Sequence, residues 1–140
     1  MPASESIHVH DLTVGEPPPD APTVILIHGI TANGLSWGVV AAELARRHGP
    51  GTIRLLAPDL RGRGASPGTG AARGLAGHVA DLRDLAADLP GKPLLVGHSM
   101  GAFVAALAVA EDPAVYAGAV LVDGGLAIPR HRPSWTSTRP

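Results

Sequence analysis

Three short runs hold the residue types that could do covalent chemistry. The first is Gly97-His98-Ser99-Met100-Gly101, a serine with a glycine two positions away on either side. A serine hydroxyl attacks an acyl carbon when it is held clear of the backbone and a base accepts its proton. The G-x-S-x-G spacing suits that task. The glycines let an incoming strand and an outgoing helix pass closely at a sharp turn, and the helix aims its first N–H groups at the spot where a carbonyl oxygen gains charge. The other two runs are His28-Gly29-Ile30 and Asp59-Leu60-Arg61-Gly62-Arg63-Gly64-Ala65-Ser66.

The elements around these runs must place all three together. Thr23 to Ile27 (TVILI) is short, continuous and rich in β-branched residues, the pattern of a strand buried on both faces. From Ser36 the period changes: Trp37, Val40, Ala41, Leu44 and His48 lie three or four apart, and Gly49-Pro50 closes a helix. A second strand is expected over Thr52–Ala57, a helix from about Leu75 to Leu89, a third strand at Leu94–Val96 and a helix from Met100 to Glu111. Ala119 to Val122 reads as a fourth buried strand, and Ile7, Val9 and Leu12 mark a short β-like stretch near the start. Strands alternating with helices give an α/β domain with a mostly parallel sheet. Ligands of such sheets bind at the carboxyl ends of the strands, where each of the three runs falls.

Composition removes several alternatives. Lys plus Arg is 11 against 12 Asp plus Glu, so no basic excess exists to neutralise a nucleic-acid backbone. The absence of cysteine removes disulfides, thiolate catalysis and zinc–thiolate sites. Residues 1–14 show no basic segment followed by an apolar one, and the stretch Gly101–Ala110 is too short to span a bilayer, so a soluble, cytoplasmic protein is expected. A dinucleotide-binding G-x-G-x-x-G beginning at Gly62 fails because Pro67 stands where the third glycine is needed. Gly91-Lys92 leads into Pro93 rather than Ser or Thr, which rules out a P-loop. His8 and His10 share one strand face, but the expectation there is two exposed edge-strand histidines rather than a metal site. His98 is expected to pack rather than to act as a base, since a residue adjacent to the serine points away from its Oγ.

Taken in order, HGI at 28–30, DLRGRGAS at 59–66 and GHSMG at 97–101 resemble the oxyanion loop, the D-x-R-G-x-G-x-S signature and the nucleophile elbow of the α/β-hydrolase superfamily, in its branch of single-domain bacterial esterase-like serine hydrolases. The resemblance covers residues from about 7 to 128. It implies an α/β-hydrolase fold and acyl-enzyme chemistry on a small ester-like substrate, with Ser99 as nucleophile. The backbone N–H groups of Ile30 and Met100 would form the oxyanion hole. It implies no metal, no organic cofactor, and a bracing role for His28, Gly29 and Asp59–Ser66. The alternative is a hydrolase-fold binding or signalling protein that keeps the pocket without the chemistry.

The family places its triad acid and then its histidine after the nucleophile. Asp123 closes the VLVDGG strand, where some members carry the acid, but a turn-capping role before Gly124-Gly125 is the simpler expectation. His131 is the only downstream histidine, in the run IPRHRPSWTSTRP, which has no apolar period. Residues 1–128 therefore read as the N-terminal portion of a hydrolase domain and 129–140 as an irregular tail, of the composition a shifted reading frame would produce. The isolated chain is expected to be inactive. It is also expected to self-associate through the sheet edge at Ala119–Val122.

Overall fold

The computed structural model describes residues 6–68 and 74–126. Five strands form one sheet: β1 (Val9–Asp11), β2 (Thr23–Ile27), β3 (Arg54–Pro58), β4 (Leu94–His98) and β5 (Gly118–Val122). Their spatial order is β1-β3-β2-β4-β5, with β1 antiparallel to β3 and every other pair parallel. Three helices connect them: α1 (Gly38–His48), α2 (Gly74–Ala87) and α3 (Met100–Glu111), with a single 3-10 turn at Gly34–Trp37 leading into α1. The tail 129–140, and with it His131, lies outside the described residues.

The apolar run of β2 is continuous because both of its faces are covered. Ile25 and Ile27 point into a core built with Leu95 of β4, Val79 and Leu82 of α2, and Val104, Ala105 and Ala108 of α3. Leu26 points the other way, into a second core with Leu55, Ala57, Trp37 and Ala41. The alternation of strand side chains thus divides one sequence run between two cores. Each fully buried aliphatic side chain stabilises the fold by roughly 1.5–3 kcal/mol.

The helix that sequence periodicity begins at Ser36 proves to be two pieces. Asn33 caps the 3-10 turn by accepting the Leu35 N–H on its side-chain oxygen (2.9 Å), and the α-helix proper starts at Gly38. A 3-10 entry is a common way to begin a helix. The strand at 119–122 is half open, as an edge strand with one uncovered face is expected to be. Ala119 and Leu121 pack on the core shared with α2 and α3, while Val120 and Val122 on the opposite face are 47% and 42% exposed. This strand ends the sheet, and no element among the described residues covers that face. No helix among them is long and apolar enough to cross a membrane.

Candidate active site

The strand-to-helix turn between β4 and α3 holds Ser99 in backbone geometry that side chains rarely adopt, φ 54° and ψ −117°. Such a residue costs of order 1–3 kcal/mol and persists where its surroundings over-determine it. Those surroundings are tight. A Cβ on Gly97 would collide with the Gly101 carbonyl, and one on Gly101 would collide with the Ile27 carbonyl. The two glycines are therefore the only residue type that lets β4, α3 and β2 approach this closely. The Ser99 N–H donates to the Val122 carbonyl (2.9 Å), and its own carbonyl accepts from Ala102 N–H (3.0 Å), so the turn is fastened on both sides.

The loop after β2 arrives at the same point. A Cβ on Gly29 would lie 3.3 Å from the Ser99 Cβ. Ile30 follows with its side chain 56% exposed, and Met100 opens α3, whose first N–H groups have no intrahelical acceptor. Neither the Ile30 nor the Met100 N–H finds an acceptor among the described residues.

His28 fixes this loop. Its Nδ1–H donates to the Gly29 carbonyl (2.7 Å), and its Nε2 accepts the Leu60 N–H (2.9 Å). Burial holds its pKa below the ordinary 6.5, outweighing the Gly29 carbonyl that favours the charged form. A neutral ring with both nitrogens engaged braces two loops and is not available to shuttle protons.

The loop 59–66 supports the site from the β3 side. Burial pushes the Asp59 carboxyl upward, but the N–H groups of Ala65 (2.8 Å) and Gly34 (2.7 Å) and the His10 ring (3.0 Å) outweigh it, so its pKa lies below the ordinary 3.8. Arg61 is buried in a two-point ion pair with Asp81 of α2, at 3.0 and 2.7 Å. Arg63 Nε donates to the Ile30 carbonyl (2.8 Å), tying this loop to the one beside Ser99. Sequence alone does not reveal the Arg63 contact, since it spans 33 positions and no local pattern encodes it.

Two expectations are corrected here. His98, expected to pack, is exposed, with its Nδ1 on the Gly29 side of the turn. Among the described residues, nothing covers its place at the end of β4. His10, expected at an exposed edge, is half-buried because β1 brings it against Asp59. Asp123 is exposed at φ 52°, the left-handed geometry of a turn, and Gly124 beyond it approaches the Ser99 carbonyl. Among the described residues no side chain hydrogen-bonds Ser99.

The comparisons with known proteins agree with this layout. The family model described as "Alpha/beta hydrolase family" matches residues 24–140. Lipase LipV of Mycobacterium tuberculosis is 35% identical over 120 residues, 84% of this chain and 43% of that protein. A carboxylesterase structure from the ammonia-oxidizing Thaumarchaeon Nitrososphaera gargenis superposes with a TM-score of 0.71 at 25% identity, covering 86% of this chain and 43% of that one. A thioesterase domain from the curacin biosynthetic pathway gives 0.65 at 30% identity, over 84% and 46%. The chain spans 29% of the length of the first curated relatives it matches and less than half of these three. The sheet order, the strained serine turn and the family match together make this chain a member of the α/β-hydrolase family.

Proposed function

We propose that this chain carries the nucleophilic half of a serine hydrolase acting on small carboxylic esters. The observation that carries this reading is the backbone of Ser99, strained at φ 54° between β4 and α3 and set against the His28–Ile30 loop. Ser99 Oγ attacks the acyl carbon, a base takes its proton, and the carbonyl oxygen becomes an oxyanion. The N–H groups of Met100 and Ile30 donate to that oxyanion. Its collapse expels the alcohol, which takes back the proton from the base, and leaves an acyl-serine that water then cleaves to the acid and free serine. A preorganised donor is worth about 2.7–4 kcal/mol in such sites. Arg63 and His28 hold the loop that bears Ile30, as positioning residues. The names of the relatives, a lipase, carboxylesterases and a thioesterase, support an acyl-transfer substrate.

The second part of the proposal is that this chain does not turn over esters by itself. No histidine among the described residues reaches Ser99, and a triad enzyme needs one within hydrogen-bond distance. The chain is also proposed to self-associate through the open edge and face of β5. The test is hydrolysis of p-nitrophenyl acetate by the chain alone and by the chain co-expressed with the segment of LipV that follows the matched region. No turnover alone, and turnover with the segment that Ser99→Ala abolishes, is expected. Turnover that survives Ser99→Ala overturns the nucleophile, and steady turnover by the chain alone overturns its dependence on a second segment.

A further inference from the structure

At the far end of the sheet from β5, three potential ligands converge that take no part in the chemistry at Ser99. His8 and His10 are two residues apart on extended backbone, so both imidazoles project from one face. Their ring centroids are 4.5 Å apart in an edge-to-face arrangement. Antiparallel pairing sets Val9 opposite Pro58, and the Asp59 N–H donates to the His8 carbonyl (2.9 Å). That register delivers the Asp59 carboxylate to the histidines. His10 Nε2 lies 3.0 Å from Asp59 Oδ1, and one ligating atom from each of the three residues falls within 4.8 Å of the others.

We propose that His8, His10 and Asp59 form a binding site for a divalent transition-metal ion of the zinc class, with the fourth position open to water. Donors around tetrahedral zinc stand about 2.0–2.2 Å from the ion and hence roughly 3.3 Å from one another. His10 and Asp59 already have that spacing to within a few tenths of an ångström. His8 is exposed, and its ring is free to turn the remaining distance.

The supporting contacts are those a metal site requires. Asp59 Oδ1 also accepts the Gly34 N–H and Oδ2 accepts the Ala65 N–H, which fixes the plane of the carboxylate. Gly34 also seats the His10 ring, since a Cβ there would lie 2.7 Å from His10 Cδ2. On binding, the ion takes the place of the hydrogen bond between His10 Nε2 and Asp59 Oδ1, and the His10 Nε2 lone pair goes to the ion. The ion joins β1, the loop 59–66 and the 3-10 turn at one point. Its role is structural and separate from chemistry at Ser99.

The test uses the full chain, stripped with a chelator and titrated with Zn²⁺ against a chromogenic competitor, with Co²⁺ absorption as a readout of geometry. One ion per chain is expected, with four-coordinate Co²⁺ bands and a melting temperature that rises with Zn²⁺. His8→Ala, at an exposed position that does not disturb packing, and His10→Ala should each weaken binding by about tenfold or more. His48→Ala, on the exposed end of α1, should bind as the wild type does. Failure of the folded chain to retain Zn²⁺ overturns the site, as does wild-type affinity in either the His8 or the His10 variant. In either case the His10–Asp59 contact is a hydrogen bond and nothing more.

Discussion

At the scale of single residues, the turn at Ser99 depends on what its neighbours lack. Gly97 and Gly101 sit where a Cβ would meet backbone carbonyls rather than side chains that could swing aside. Gly101→Ala is therefore expected to destabilise the fold by at least about 1–3 kcal/mol, the cost of forcing atoms into a packed interior. A urea titration against the wild type measures this. His28 and His78 give a second test. Burial depresses both imidazoles, and Arg63 lowers His78 further. The unfolded chain then binds more protons than the folded one at mildly acidic pH. Their contribution is fully present above the ordinary value of 6.5 and is lost as pH falls towards the depressed folded values. Asp59, also depressed, adds a separate loss below its ordinary 3.8. Urea midpoints from pH 8 to pH 5 should fall, and His78→Leu should flatten the slope. His78 suits that substitution because its Nδ1 has no hydrogen-bond partner to orphan.

At the scale of elements, the sequence was most legible where periodicity is strong. β2 is the five-residue run TVILI, and α3 begins and ends where Met100 and Asp112-Pro113 indicate. The three functional runs fell on strand ends because the strands themselves were readable. Less was legible where an outcome depends on a distant partner. A continuous apolar run such as Ala119–Val122 reports that a strand exists, not which of its faces is covered. His10 and Asp59 are 49 positions apart, and only the antiparallel register of β1 on β3 joins them. The Arg61–Asp81 pair is of the same kind. It fastens the loop 59–66 to α2 with both side chains nearly buried. Asp81→Ala removes the two charge-assisted hydrogen bonds of this pair and should cost about 1.5–3 kcal/mol, read from urea midpoints. It should also bring earlier hydrogen exchange to the middle of α2 around Asp81, which mass spectrometry of amide exchange can follow.

At the scale of the whole molecule, the sheet among the described residues is closed by β1 on one side and ends at β5 on the other. β1 runs antiparallel along β3 with its loop pinned through Asp59, whereas β5 has no partner on its outer edge among the described residues and carries two exposed valines. An unpaired apolar edge invites another strand. The chain should therefore show a mass by light scattering that rises with concentration, and Val120→Lys with Val122→Lys should return it towards the monomer. The matched relatives are longer than the matched region, which makes up 29% and 43% of their lengths. The most direct measurement of the central claim is fluorophosphonate labelling, located by peptide mass spectrometry, of the chain in complex with the LipV segment. Adduct on Ser99, formed at least about a hundredfold faster than in the chain alone and absent in Ser99→Ala, is the expected result. A folded, co-eluting complex that carries no adduct on Ser99 would contradict its assignment as the nucleophile.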